Sequence, residues 1–171
     1  MPLFGFSTAL GKSSSVKREG VASYGKSDSD FIKTHLPEYR GGNAALLQKE
    51  ADDVISRTIS RAVKEKKNIL LDTTLKNHDK YDRILGIMSK FNYRRGVVFS
   101  EVTPENAMNR VIDRYKSSGR FVDPLYVAFH DALNSDTYRR LRAKVDFYSL
   151  YDNNVAKGQP PKLKETSRAK I

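Results

Sequence analysis

Residues 2–14 read Pro2-Leu3-Phe4-Gly5-Phe6-Ser7-Thr8-Ala9-Leu10-Gly11-Lys12-Ser13-Ser14. The short apolar segment Pro2–Phe6 has strand character, and Gly11-Lys12-Ser13-Ser14 opens a polar, helix-compatible segment behind it. A strand running into a glycine-bearing turn and a helix start lets backbone N–H groups converge on an anion. A lysine there neutralises phosphate charge, and a serine hydroxyl reaches a divalent cation. Gly11, Lys12, Ser13 and Ser14 are therefore expected to bind nucleotide phosphates, with Ser13 on Mg2+. The pattern G-x-x-x-x-G-K-[ST] wants glycine at position 6, where Phe6 stands. A β-carbon in a tight turn is a steric cost, so this reading expects either a one-residue insertion in the loop or impaired nucleotide binding. A second match, Gly20 to Ser27 (GVASYGKS), fits without error, but little strand precedes it and Asp28-Ser29-Asp30 follows at once. Carboxylates beside a phosphate nest oppose binding unless Mg2+ intervenes. Lys12 is the preferred cradle lysine, and Gly25-Lys26-Ser27 reads as a strand end.

Working outward, four more segments read as strands: Val21–Tyr24, Asn68–Leu71, Arg95–Val102 and Val145–Tyr151. Helical patterns separate them. Ala44–Lys66 places Leu47, Ala51, Val54, Ile55, Ile59, Ala62 and Val63 on one face. Asn77 can cap a helix carrying Ile84, Ile87 and Met88. Thr103 before Pro104 is an N-cap with proline at N1, and that helix runs toward Tyr115. A break at Ser117–Gly119, a helix opened by Pro124 and a helix over Asp136–Ala143 complete the series. Short apolar strands alternating with helices predict an α/β three-layer sandwich: a mostly parallel five-stranded sheet with crossover helices, of the P-loop kinase type. The domain spans residues 1–153. Residues 154–171, rich in Gly, Pro and Lys, read as a basic flexible C-terminal tail.

In such a sheet the carboxyl ends of the strands line the ligand crevice. Asp28 and Asp30 fall at one such end, and Asp72-Thr73-Thr74 at another. A carboxylate there can accept the proton of an attacking hydroxyl. The plainer alternative is that Asp28 caps the following helix and Asp30 favours its dipole. Arg110, Arg114, Lys116 and Arg120 fall in NRVIDRYKSSGRFVDP, where Arg110 and Arg114 share a helix face. Arg120 precedes Pro124 in a Ser/Gly-rich loop, so the segment reads as an arginine-bearing lid, or else as a solvated basic helix. His35, His78 and His130 lack ligand spacing.

Composition bounds the rest. The 171 residues suit one domain, and 39% hydrophobic with 30% charged residues is an ordinary balance for a water-soluble chain. Without cysteine there is no disulfide, thiolate metal site or catalytic thiol. No apolar run approaches the ~20 residues of a membrane helix, and the N-terminus lacks signal-peptide order, so a cytoplasmic setting without membrane contact is expected. The net charge is +11, and residues 154–171 supply +4 of it. A basic body fits phosphate-rich partners such as nucleotides, sugar nucleotides or nucleic-acid ends, or serves solubility alone.

From Gly11 to Asn153 the chain resembles the zeta-toxin family of P-loop kinases. The matching pieces are GKSS, SDSDFIKTHLPEY, KNILLDTTLKN, NRVIDRY, SGRFVDP and VDFYSLYDN. The resemblance implies a phosphotransferase that uses ATP or GTP with Mg2+ to phosphorylate a UDP-activated amino sugar. It implies Lys12 and Ser13 on phosphate and metal, Asp30 as general base, and Arg114 and Arg120 as the clamp. Asp28, Asp72, Thr74, Lys76 and Glu50 would face the acceptor. A toxin further implies an antitoxin partner. The same landmarks are similar to those of phage-type polynucleotide 5′-hydroxyl kinases, which would take a nucleic-acid end as acceptor. A third reading is a non-catalytic P-loop domain used for interaction or nucleic-acid binding, with Phe6 as its support.

Overall fold

A computed structural model describes residues 2–7, 25–40, 42–43, 45–118, 134–156 and 158–167. In chain order the strands are β1 (Leu3–Ser7), β2 (Gly25–Asp28), β3 (Ile69–Asp72), β4 (Arg94–Glu101), β5 (Phe147–Asp152) and β6 (Lys162–Thr166). They form one sheet in the order β2-β3-β1-β4-β5-β6. The first five are mutually parallel, and β6 joins β5 antiparallel. The described helices are α1 (Ser29–Thr34), α2 (Gln48–Lys64), α3 (His78–Lys90), α4 (Pro104–Ser118) and α5 over residues 134–142.

Both sheet faces are covered, as a parallel sheet requires. Ile69 and Leu71 of β3 and Val97 and Phe99 of β4 point into one apolar cluster. Ile55 and Val63 of α2, Tyr81, Leu85 and Met88 of α3, and Tyr138 and Leu141 of α5 complete it. The alternate residues Leu70, Val98 and Ser100 are buried too, as are Ala107 and Val111 of α4, all outside that cluster. Alternation along the strands therefore puts buried side chains on both faces, the three-layer arrangement expected. The apolar stripe of α2 is as anticipated except at Val54, which is 37% exposed.

Local chemistry sets the ends of the helices. Asn77 accepts from the Lys80 N–H at 3.0 Å and caps α3. Both α2 and α3 finish with a left-handed residue, Lys66 (φ 51) and Asn92 (φ 56). Lys66 and Lys67 donate back to Val63 and Ala62, and Asn92 and Tyr93 to Ser89 and Met88. This paired return satisfies the last carbonyls and turns the chain into β3 and β4.

Two expectations need correction and one is sharpened. The second strand covers Gly25–Asp28, in keeping with Gly25-Lys26-Ser27 as a strand end, and Val21–Tyr24 lies outside the described residues. Helix α4 continues through Ser117 and Ser118, where a break was expected. The C-terminal segment is not a flexible tail over residues 162–166, because β6 docks on β5. Arg142 of α5 donates to both carboxylate oxygens of Glu165 at 3.2 and 2.9 Å, and the Tyr148 hydroxyl donates to the same group at 3.0 Å. Lys164 pairs with Glu101. A strand as polar as KLKET is held by partners rather than by its own hydrophobicity. The sheet thus has six strands, five of them parallel as anticipated, plus one antiparallel edge.

Candidate active site

The strand order defines where a ligand belongs. The chain leaves β1 for β2 at one edge of the sheet, returns to β3 between them, and then crosses β1 to β4 and β5 on the other side. β1 is therefore the switch point at which a crevice opens beyond the carboxyl ends. The register aligns those ends: Ser7 pairs with Asp72, and Asp72 with Asp28. Two acidic positions thus stand side by side on β2 and β3, next to the strand from which the Gly11–Ser14 segment departs. Phe6 lies within β1, paired with Leu71 and Val97. An extended strand residue carries a β-carbon without strain, so Phe6 does not occupy the tight turn. Gly25, Lys26 and Ser27 pair with Ile69, Leu70 and Leu71 as β2, so these three residues form a strand and not a phosphate-binding loop. Gly11, Lys12, Ser13, Ser14, Arg120, Pro124 and His130 lie outside the described residues.

The side of the sheet where the sequence reading expects the acceptor is built by α1, the start of α2 and the loop after β3. Asp30 lies in the first turn of α1, its side chain 52% exposed. Lys33, one turn on, is buried, and its Nζ sits 3.8 Å from Asp30 Oδ1. Lys33 also donates to Gln48 Oε1 at 2.6 Å, joining α1 to α2. Glu50 is exposed two residues further along α2. Beyond it, Asp52 accepts from Lys80 Nζ at 3.3 Å.

After β3, Asp72 and Thr73 are half-buried and Thr74 is exposed. The Thr73 hydroxyl and the Tyr81 hydroxyl share a hydrogen bond of 2.5 Å, so Thr73 is committed to the fold. Burial holds the Tyr81 phenol above its ordinary value, against the hydrogen bond to Thr73 and with help from the Asp52 charge. Leu75 is left-handed at φ 54 and fully buried in the core. A branched residue in that region is strained, and the surrounding core holds it there. Partial burial, then the charge of Lys33, lowers the Lys76 ammonium below its ordinary value. Lys33 and Lys76 therefore sit within electrostatic reach of each other beside Asp30.

Arg114 stands elsewhere, on the crossover from β4 to β5 on the far side of β1. Its neighbour Arg110, which shares the expected lid face, is a structural clip: its Nη2 donates to the Asn153 and Val155 carbonyls at 2.6 and 3.0 Å. His35 Nδ1 lies 2.9 Å from the Phe31 carbonyl, and His78 contacts Asp79, consistent with structural roles. Sequence reasoning missed Lys33 and Gln48 as members of the site. The signal for Lys33 was its (i, i+3) spacing from Asp30, whereas Gln48 is a contact across fifteen residues with no local sign. Among the described residues no three or more His, Asp or Glu side chains gather to hold an ion by themselves. Among the described residues, too, no helix is long and apolar enough to cross a membrane.

The fold and the switch-point crevice are those of the P-loop kinase class of α/β proteins. The zeta toxin family model matches residues 10–154, and the chain belongs to the zeta toxin family. Among solved structures it is similar to the PezAT chromosomal toxin-antitoxin system of the human pathogen Streptococcus pneumoniae. That match has a TM-score of 0.76 at 14% identity, over 100% of this chain and 74% of the other. It is also similar to the AvrRxo1-ORF1:-ORF2 structure with ATP, with a TM-score of 0.68 at 15% identity over 96% of this chain. It spans 57% of that matched chain, and 58% in the structure with sulphate ions. At such identities the likeness establishes the fold. No curated protein matches the chain.

Proposed function

We propose that this chain transfers the γ-phosphoryl group of ATP or GTP to a hydroxyl of a sugar nucleotide. The observation that carries the reading is the register Ser7–Asp72–Asp28 at the switch point, with Asp30 just beyond it and Lys12 on the segment leaving β1. Membership of the zeta toxin family supports it, as does the AvrRxo1 structure bound to ATP.

In the proposed step the acceptor oxygen bonds to the γ-phosphorus as the bond to the β–γ bridging oxygen breaks. The nucleoside diphosphate leaves, and the hydroxyl proton passes to an Asp30 carboxylate oxygen. Lys12 neutralises the phosphates, and Arg114 and Arg120 offset charge on the transferring group. Mg2+ would add Lewis-acid neutralisation of the triphosphate. Asp28, Asp72, Thr74, Lys76 and Glu50 orient the acceptor. A toxin of this kind needs an inhibitory protein partner, and the PezAT likeness supports an antitoxin.

The test titrates ATP and GTP with Mg2+ into the wild type and Lys12→Ala by calorimetry. It then offers sugar nucleotides and 5′-hydroxyl oligonucleotides as acceptors. Micromolar binding that Lys12→Ala abolishes, followed by phosphate on a sugar nucleotide, is the expected result. Phosphate on the oligonucleotides would move the assignment to polynucleotide kinase, and no binding of either nucleotide would overturn the phosphotransferase reading.

A further inference from the structure

Lys33 is the least expected charge in the site. Its side chain is only 7% exposed, and an ammonium so removed from water needs compensating partners. Gln48 Oε1 accepts from it at 2.6 Å, and Asp30 Oδ1 lies 3.8 Å away. A third neighbour opposes it, because the Lys33 charge reaches Lys76. A lysine that served only to solvate α1 would point outward and escape both burial and repulsion. Asp30, in contrast, is half in solvent, so its carboxylate has the buried amine on one side and water on the other.

We propose that Lys33 is a positioning residue for Asp30: its buried ammonium, fixed by Gln48, anchors the carboxylate from the protein side so that it meets the acceptor hydroxyl in one geometry. The proposal deepens the phosphotransferase reading above and rests on it. The other charges at this end of the site are Lys76 from the loop after β3, Glu50 and the Asp52–Lys80 pair on and against α2, and the acidic strand-end positions Asp28 and Asp72. None of them spans α1 and α2 as Lys33 does. A misplacement of about 1 Å at a reacting group can cost on the order of 100-fold in rate, so a tether on a side chain with two free torsions has kinetic consequences.

The test follows γ-phosphate transfer from ATP to whichever sugar nucleotide the wild-type chain phosphorylates. Lys33→Met should lower kcat by roughly 10- to 100-fold with the KM for nucleotide unchanged, and Lys33→Arg should restore most of the rate. The Asp30→Asn/Lys33→Met double variant should be no slower than Asp30→Asn alone, since the lysine acts through the carboxylate. If Lys33→Met does not fold, Lys33→Gln removes the charge while keeping a partner for Gln48. Losses that multiply in the double variant, or wild-type kcat in the neutral variant, overturn the positioning role while the phosphotransferase stands. An Asp30→Asn variant at the wild-type rate, or no transfer by the wild type to any acceptor, overturns the phosphotransferase itself, and the Lys33 role falls with it.

Discussion

The two halves of the sheet handle charge in different ways. At the β4–β6 edge each named cation meets an anion: Arg142 binds Glu165, Lys164 binds Glu101, and Arg95 binds Asp146. At the β2–β3 edge like charges also gather, alongside the Lys33–Asp30 and Lys80–Asp52 pairs. Lys33 and Lys76 repel each other, and Asp28 and Asp72 occupy paired positions on neighbouring strands. The first arrangement is what stability alone selects. The second costs stability and survives where charges must act on something else. The contrast is testable, because substitutions in the two halves should fail in different assays.

The largest expected effect lies in the crowded half. Asp30→Asn should slow phosphate transfer by about 100- to 10,000-fold, the usual contribution of a positioned proton acceptor, while the variant still folds and binds nucleotide. A transfer rate near wild type, with a lowered melting temperature, would move Asp30 to the structural class and erase the contrast.

Next comes the packed half. Gly96 of β4 faces Phe147 of β5 in register, and a β-carbon there would lie 2.1 Å from ring atoms of Phe147. Phe147 is buried and also meets Arg94 at 5.5 Å from its ring, so the ring has little room to move. Gly96→Ala should cost about 1–3 kcal/mol by overpacking, read by denaturant unfolding, with nucleotide binding intact in the folded fraction. Wild-type stability would show that the ring shifts freely and that the glycine has no packing role.

Glu165→Ala is expected to be milder. It removes two hydrogen bonds from Arg142 and one from Tyr148, but on a group that is 40% exposed, so about 1 kcal/mol is expected. The more specific readout is faster amide exchange across residues 162–166 with the parallel strands unchanged. If exchange there matches the wild type, backbone pairing holds β6 by itself.

These sites also divide what was legible in the sequence from what was not. The parallel strands β3 and β4 announce themselves by apolar runs, because burial on both faces demands such runs, and β1 and β5 by short apolar or aromatic segments. Asp30 and Asp72 were legible because a carboxylate at a strand end is a position as well as a residue type. β2 was legible only as a strand end, since Gly25-Lys26-Ser27 has little strand propensity of its own; its pairing with the strong strand β3 makes it a strand. β6 was missed for a related reason: its stability resides in Glu165 and Thr166 reaching other elements. Lys33 was visible as a letter in a motif, but its burial and its bond to Gln48 depend on how α1 meets α2, which no local pattern records.

The smallest expected effect separates the two halves most sharply, because it has the opposite sign. Partial burial and then the Lys33 charge lower the Lys76 ammonium from its ordinary value. A base lowered on folding destabilises the fold while it is charged. That penalty is complete at pH values below the folded-state value, and it fades as pH rises through that value toward the unfolded one near ~10.4. Lys76→Met should therefore be as stable as the wild type at neutral pH, or more stable by at most about 0.5 kcal/mol after solvent screening, with the gap closing in alkali. Phosphate transfer should fall because an acceptor contact is lost. A variant that is less stable than the wild type, yet transfers phosphate normally, would give Lys76 a stabilising role like that of the charges at the other edge and remove it from the acceptor contacts.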